Sequence, residues 1–310
     1  MSTAITFPGL GITLDPSPVV FTLFGKPIYW YGLIIACGML FGWFVMDRLS
    51  PSFGLTGDDV IDVLMACIPI GVVGARVYYC VFYWELFRDD PLSVFRIWEG
   101  GLAIYGGVIF GVLGLFLYSK RKNKSFGSVL DLSSFGVLIG QIAGRWGNFI
   151  NREAHGRETD LPWRMGLWEN GKVSCFHPTF LYESLWNLIG LIILFRVRKK
   201  KKYDGQLFAF YLFWYGLGRA WIEGLRTDSL YLFKSGIRVS QLLAAVCVFA
   251  AGGYMLLMER KLRKKDAVLN ASEEKEKASE ASGSSSEPAE AAAESPEAEP
   301  AREGNTEKCK

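Results

Sequence analysis

The segment Gly144-Arg145-Trp146-Gly147-Asn148-Phe149-Ile150-Asn151-Arg152-Glu153-Ala154-His155-Gly156 sets guanidinium, carboxamide and carboxylate groups close together at the end of an apolar run. Other ionised side chains interrupt apolar stretches well away from their ends. Arg76 follows 13 uncharged residues, Glu183 sits early in one stretch, and Arg219 and Glu223 lie late in another. A charge facing lipid is costly, so such groups either pair inside a helix bundle or serve a ligand. Arg219 and Glu223 are spaced i,i+4 and can pair on one helix face. Three arginines at a similar depth exceed what pairing alone requires. Because the planar guanidinium fork matches phosphate bidentately, the cluster suits an anionic lipid headgroup. For Arg226, at the end of its stretch, snorkelling to the membrane interface is the other reading.

These groups need elements to hold them, and the apolar runs supply them. Pro27–Met46 and Gly100–Ser119 are each 20 residues without a charge, about the length that crosses the hydrocarbon core as a helix. Apolar stretches and their charged or Gly/Pro-rich breaks predict seven spanning helices, at 27–46, 60–84, 101–119, 127–147, 178–196, 206–224 and 239–258. The expected fold is therefore all-α and polytopic in a membrane. That excludes a soluble globular enzyme, a nucleic-acid-binding domain and a single-pass anchor.

The formal charge of +3 conceals a division by position. Residues 266–310 hold 12 acidic and 5 basic side chains, a charge of −7, which leaves +10 on residues 1–265. The chain is accordingly expected to divide into a membrane domain at 1–265 and an acidic Glu/Ala/Ser/Pro-rich tail at 266–310. With Val268 and Leu269 as its only large aliphatics, the tail cannot bury enough apolar surface to offset ordering entropy, and disorder is expected. Basic clusters follow the third, fifth and seventh spans, at Lys120–Lys124, Arg196–Lys202 and Arg260–Lys265. The positive-inside rule puts these on the cytoplasmic side, with the N-terminus outside and the tail inside. Met1–Asp15 lacks the basic and apolar regions of a signal peptide, so the first span is expected to direct insertion itself.

Gly106, Gly107, Gly111 and Gly114 crowd the third span, and Gly140, Gly144 and Gly147 recur in the fourth. Close helix packing through small residues and close backbone approach to a bulky ligand both fit this pattern. The six cysteines show no C-x-x-C pair and read as small hydrophobes. His155 and His177 show no metal-ligand spacing, and no cofactor is implied. No G-x-S-x-G elbow is present either.

The Gly144–Glu153 stretch resembles the signature G-R-x-G-N-F-I-N-x-E of the prolipoprotein diacylglyceryl transferase family. Four further pieces match in order: Trp30-Tyr31-Gly32; Gly74-Ala75-Arg76 with Tyr78 and Phe82-Tyr83; His177-Pro178-Thr179-Phe180-Leu181-Tyr182-Glu183; and Tyr215-Gly216-Leu217-Gly218-Arg219 with Glu223 and Arg226. The resemblance covers about residues 15–260 and leaves out the tail. One position departs from the pattern: Tyr105 precedes Gly106-Gly107 where many members of the family carry His. Tyrosine, with an unperturbed pKa of about 10, is a weaker base but a good hydrogen-bond donor.

The resemblance implies a bacterial multi-pass enzyme of the cytoplasmic membrane with its site towards the outer leaflet. Its partners would be phosphatidylglycerol, membrane lipid and prolipoprotein signal peptides with a lipobox cysteine, and no nucleic acid. The diacylglyceryl group would pass to the cysteine thiol, forming a thioether and releasing glycerol 1-phosphate. On this reading Arg145 and Arg219 clamp the phosphate, Asn148, Tyr31 and Gly156 bind the headgroup, and Tyr105 handles the proton or contacts the headgroup. Arg76, Glu153, Glu183 and Glu223 are expected to orient the arginines, with Tyr215 and Arg226 in support. The competing class is a seven-span transporter or an anionic-lipid-binding sensor, which would yield no covalent product.

Overall fold

The computed structural model describes residues 4–169, 172–227 and 238–283. It contains seven long helices: α1 (Trp30–Leu49), α2 (Gly57–Phe82), α3 (Ile104–Arg121), α4 (Phe126–Asn151), α5 (Thr179–Val197), α6 (Gln206–Leu225) and α7 (Val239–Gly283). Each overlaps one of the seven runs read from the sequence. Five of them, α1, α2, α4, α5 and α7, are long and apolar enough to cross a membrane, while α3 and α6 fall below that measure. Local signals set several starts. Thr56 accepts from the Asp59 N–H at 3.1 Å while Asp59 accepts from the Thr56 N–H at 2.8 Å, a reciprocal capping box for α2. At the start of α4 the Ser125 hydroxyl accepts from the Ser128 N–H at 3.4 Å, a one-way cap.

The all-α expectation needs correction. Six short strands, β1 (Ile5–Phe7), β2 (Ile12–Leu14), β3 (Val19–Leu23), β4 (Lys26–Tyr29), β5 (Met165–Glu169) and β6 (Lys172–Phe176), accompany the helices. One antiparallel sheet has the order β2-β1-β5-β6, and β3-β4 is a separate hairpin leading directly into α1. Strands of three to five residues are too short to show an alternating pattern, and the β1–β5 pair joins Thr6 to Gly166. Of the tail expected at 266–310, residues 284–310 lie outside the described residues, and the helix begun at Val239 includes residues up to Gly283. Low apolar content argues against burial, not against helix. Ala, Glu, Lys and Leu have high helix propensity, and a helix already formed extends without a new nucleation cost.

Short turns join α1 to α2, α3 to α4 and α5 to α6. The starts of α1, α3 and α5 therefore lie at the same end as the finishes of α2, α4 and α6, and the sheets adjoin that end. The four-stranded sheet is seated there by a small core of Ile5, Phe149, Met165, Leu167, Phe176 and Phe180. Phe149 of α4 stacks on Phe180 of α5 at 4.5 Å. Deeper, α5 and α6 are locked by a reciprocal tryptophan pair. Each indole N–H donates to the other residue's carbonyl at 2.9 Å, and the rings stack at 4.3 Å. Two glycines make room. A Cβ on Gly190 would press on Trp214, and one on Gly218 would press on Trp186.

At the opposite end, Asp131 is fully buried and accepts from the N–H groups of Gly205 and Phe208, both at 2.9 Å, fixing the start of α6. Lys201 approaches the same carboxylate at 3.3 Å. The basic clusters Lys120–Lys124 and Arg196–Lys202 belong to this end, away from the sheets. The five cysteines within the described residues are free thiols, and Cys37 is exposed on α1 instead of buried.

Candidate active site

Where α4, α5 and α6 meet the sheets, three arginines converge on one carboxylate. Glu183, 4% exposed, takes Arg145 Nε on Oε2 at 3.0 Å and Arg219 Nη1 and Arg226 Nη1 on Oε1 at 3.1 and 3.3 Å. Arg219 Nη2 also meets Glu223 Oε2 at 2.5 Å, the i,i+4 pair anticipated on α6. Among the described residues these three guanidinium groups face two carboxylates, Glu183 and Glu223. Arg238, 7% exposed, adds a donor to the Glu223 carbonyl oxygen at the end of α6, where a cation also meets the negative pole of the helix.

Sequence reasoning counted Glu183 as one orienting acid among several; the structure makes it the hub. Nothing in its spacing announces this, because its three partners lie on other elements or beyond the end of α6. Arg226 is buried in the cluster, which removes the snorkelling reading. Arg238 bounded an apolar run in the sequence and gave no other signal.

Asn148 links the cluster to the loop beyond α4. Its Oδ1 accepts from Arg145 Nη1 at 3.1 Å and its Nδ2 donates to Glu153 Oε1 at 2.8 Å, leaving one amide N–H for a ligand. Glu153 thus acts through Asn148 and, at 3.4 Å, Asn151, and its direct contacts are not to the arginines. Tyr31 of α1 packs its ring over Gly147, where a Cβ would come within 2.6 Å of it. The Tyr31 hydroxyl has no hydrogen-bond partner among the described residues. Tyr31 and Asn151 face a shared open groove of about 800 Å³ beside the β3-β4 hairpin.

Two expected roles change. Arg76 does not orient the other arginines. Its guanidinium gathers the carbonyl oxygens of Ser93 (2.6 Å), Val94 (2.7 Å), Gly100 (2.7 Å), Gly101 (3.0 Å) and Arg96 (3.4 Å), over the Phe87 ring at 5.0 Å. It fixes the loop that leads into α3 and hence the placement of Tyr105. Gly156 is not placed as a headgroup donor, because its N–H goes to the His177 carbonyl at 2.9 Å. Its requirement is steric: a Cβ there would sit 2.7 Å from His177 Cβ and 3.1 Å from the Leu225 carbonyl oxygen.

Tyr105 and Tyr215 approach the cluster from α3 and α6. Arg219 lies within electrostatic reach of both hydroxyls, and Arg145 and Glu183 within reach of Tyr215. The structure brings Arg145, Asn148, Glu183, Arg219, Glu223 and Arg226 together, whereas Arg76 and Gly156 bond elsewhere and Glu153 touches the cluster only through Asn148. His177 lies outside, between β6 and α5, with Nδ1 3.4 Å from the Tyr182 hydroxyl, and burial pushes its pKa below the usual histidine value. Among the described residues no three His, Cys, Asp or Glu side chains come together as a metal site. Arg152 and Ala154, both at positive φ, hold the turn after α4 in a conformation that non-glycine residues seldom adopt. Such strain is concentrated at functional sites.

Five helices long and apolar enough to cross a membrane define a multi-pass helical membrane protein, with a buried cluster of arginines and carboxylates at one end. Residues 18–258 match the family described as prolipoprotein diacylglyceryl transferase, and the chain belongs to that family, a family of transferases. A phosphatidylglycerol–prolipoprotein diacylglyceryl transferase of Clostridioides difficile is 45% identical over 231 residues, covering 74% of this chain and 90% of the relative. Proteins of the same name from Lactobacillus delbrueckii subsp. bulgaricus and Enterococcus faecalis are each 43% identical, over 251 and 243 residues. They cover 77% and 75% of this chain, and 90% and 87% of the relatives.

Proposed function

We propose that this chain transfers the diacylglyceryl group of phosphatidylglycerol to the thiol of a lipobox cysteine in a prolipoprotein signal peptide. The sulfur, as thiolate, attacks the terminal glyceryl carbon. The carbon–oxygen bond to phosphate breaks, a thioether forms, and glycerol 1-phosphate departs with the bridging oxygen while the thiol proton passes to a base. The observation that carries this reading is the convergence of Arg145, Arg219 and Arg226 on Glu183 where α4, α5 and α6 meet the sheets.

The residues divide the labour. Arg145 uses Nε on Glu183 and Nη1 on Asn148, and its Nη2 is the donor assigned to the lipid phosphate. Arg219, held by two carboxylates, contributes charge at a fixed position. Donors held in place before the reaction stabilise a leaving phosphate at no reorganisation cost. The same field favours the thiolate, whose unperturbed pKa of about 8.5 needs only modest lowering. Asn148, through its remaining N–H, and Tyr31, through its hydroxyl, hold the headgroup. The Tyr105 hydroxyl, set by the loop that Arg76 fixes, handles the proton or donates to phosphate.

On this reading the chain crosses the bacterial cytoplasmic membrane seven times with its N-terminus outside, the cluster towards the outer leaflet and the acidic tail inside. The end opposite the sheets carries two of the basic clusters, which supports that orientation. The test is to incubate the purified protein with phosphatidylglycerol and a lipobox peptide and follow peptide mass. Gain of one diacylglyceryl group is expected, with most of the rate lost on Arg145→Lys or Arg219→Lys, because a point charge lacks the planar fork. Unmodified peptide, with solute flux or lipid binding alone, would favour the transporter or sensor class.

A further inference from the structure

One helical turn below the arginine cluster, α4, α5 and α6 each present a second polar side chain. Because α5 runs antiparallel to its two neighbours, four residues forward on α5 match four residues back on α4 and α6. Gln141 lies four before Arg145, Asn187 four after Glu183, and Tyr215 four before Arg219. The charged layer is therefore backed by a neutral polar one, deeper among the helices.

That layer is under-bonded by protein alone. Asn187 is only 3% exposed, yet its amide has no hydrogen-bond partner among the described residues. Gln141 donates to the Tyr211 hydroxyl at 2.9 Å, but its buried Oε1 has no partner there. The Tyr215 hydroxyl also makes no hydrogen bond to a described residue, and its ring stacks on Tyr211 at 5.9 Å. Buried amides without partners are destabilising, and protein interiors rarely keep them so. Glu183, Asn187, Tyr215 and Arg219 line a cavity of about 10 Å³. That is the room one water molecule occupies, and a buried water typically takes two to four polar partners.

We propose that this cavity is a binding site for one ordered water, with Asn187 as a positioning residue for the cluster above it. The water donates to the Asn187 carbonyl oxygen and to Glu183 and accepts from the Tyr215 hydroxyl. It thereby ties the hub carboxylate to α6 from below and turns the Tyr215 hydroxyl away from the reacting phosphate. The consequence for catalysis rests on the transfer reading above; the water site itself does not.

Radiolytic footprinting of the full chain in phosphatidylglycerol-containing nanodiscs, in ¹⁸O-labelled water, separates the two. Tyr215 should take up label well above Phe135, which is fully buried in the apolar core. Asn187→Leu should abolish the label at Tyr215 and leave it unchanged at the exposed Tyr29. In the transfer assay the same variant should lose about tenfold in kcat, one buried hydrogen bond's worth, with KM for phosphatidylglycerol unchanged. Asn187→Ser, which keeps a donor and an acceptor, should restore both label and rate. Labelling of Tyr215 no greater than Phe135 in the parent protein overturns the water site whatever the activity. Unchanged kcat in Asn187→Leu overturns the positioning role. Should Asn187→Leu fail to fold, parent labelling and Asn187→Ser decide the matter.

Discussion

Replacing Glu183 by glutamine removes one charge and almost no volume, and so isolates what the hub contributes. The carboxylate serves Arg219 and Arg226 through one oxygen and Arg145 through the other. A glutamine can turn its carbonyl oxygen to the first two, but its NH₂ then faces Arg145 Nε at a site 3.0 Å away, donor against donor. Breaking a buried pair typically costs ~3–5 kcal/mol. Arg145 has 23% of its side chain exposed and recovers some solvation, so about 2–3 kcal/mol is the better figure. If that loss is felt in the transition state, it converts to roughly 30- to 150-fold in kcat. The substitution meanwhile removes one negative charge from the cluster, so binding of an anionic lipid should not weaken. The expected signature of Glu183→Gln is a large fall in kcat with KM for phosphatidylglycerol unchanged or lower, and a reduced Tm in detergent. Turnover within threefold of the parent at an unchanged Tm would refute the hub.

Three other perturbations bear on separate parts of the account. Tyr105→Phe should lower kcat at least tenfold while leaving Tm unchanged, and full activity by peptide mass would show that the hydroxyl is unnecessary. Gly218→Ala should press a methyl against Trp186, which its bond to the Trp214 carbonyl holds in place. A loss of about 1–3 kcal/mol is expected, read as a lower Tm in detergent. Burial lowers the His177 pKa, so the unfolded chain binds its proton first as pH falls. The associated stability is full above about pH 6.5 and is lost as pH falls below it; a Tm–pH profile should flatten there in His177→Gln.

The helices were legible because an apolar run of about 20 residues between charged or Gly/Pro-rich breaks reads as a helix of membrane length. Seven helices overlap the seven runs, whereas the strands were invisible: Ile5–Phe7 finds its second partner strand at Met165–Glu169, far along the chain. In the site, Arg145, Arg219 and Glu223 stood out as charges in apolar surroundings, and the structure joins them. The centrality of Glu183 could not be read, since it arises from helix crossings. Arg76 looked like another member of the cluster because its helical setting is the same. Only the fold shows that its partners are loop carbonyls. The continuation of α7 to Gly283 escaped notice because hydropathy reports burial and says little about helix propensity.

The central claim is that the arginine cluster holds the phosphate of phosphatidylglycerol while its glyceryl carbon passes to sulfur. It is tested most directly by measuring both products in one vessel: phosphorus NMR for glycerol 1-phosphate and mass spectrometry for the peptide thioether. The two should appear one for one, and both should vanish when the lipobox cysteine is replaced by serine. Release of glycerol 1-phosphate without peptide modification, or no product from an intact parent protein, would contradict the account.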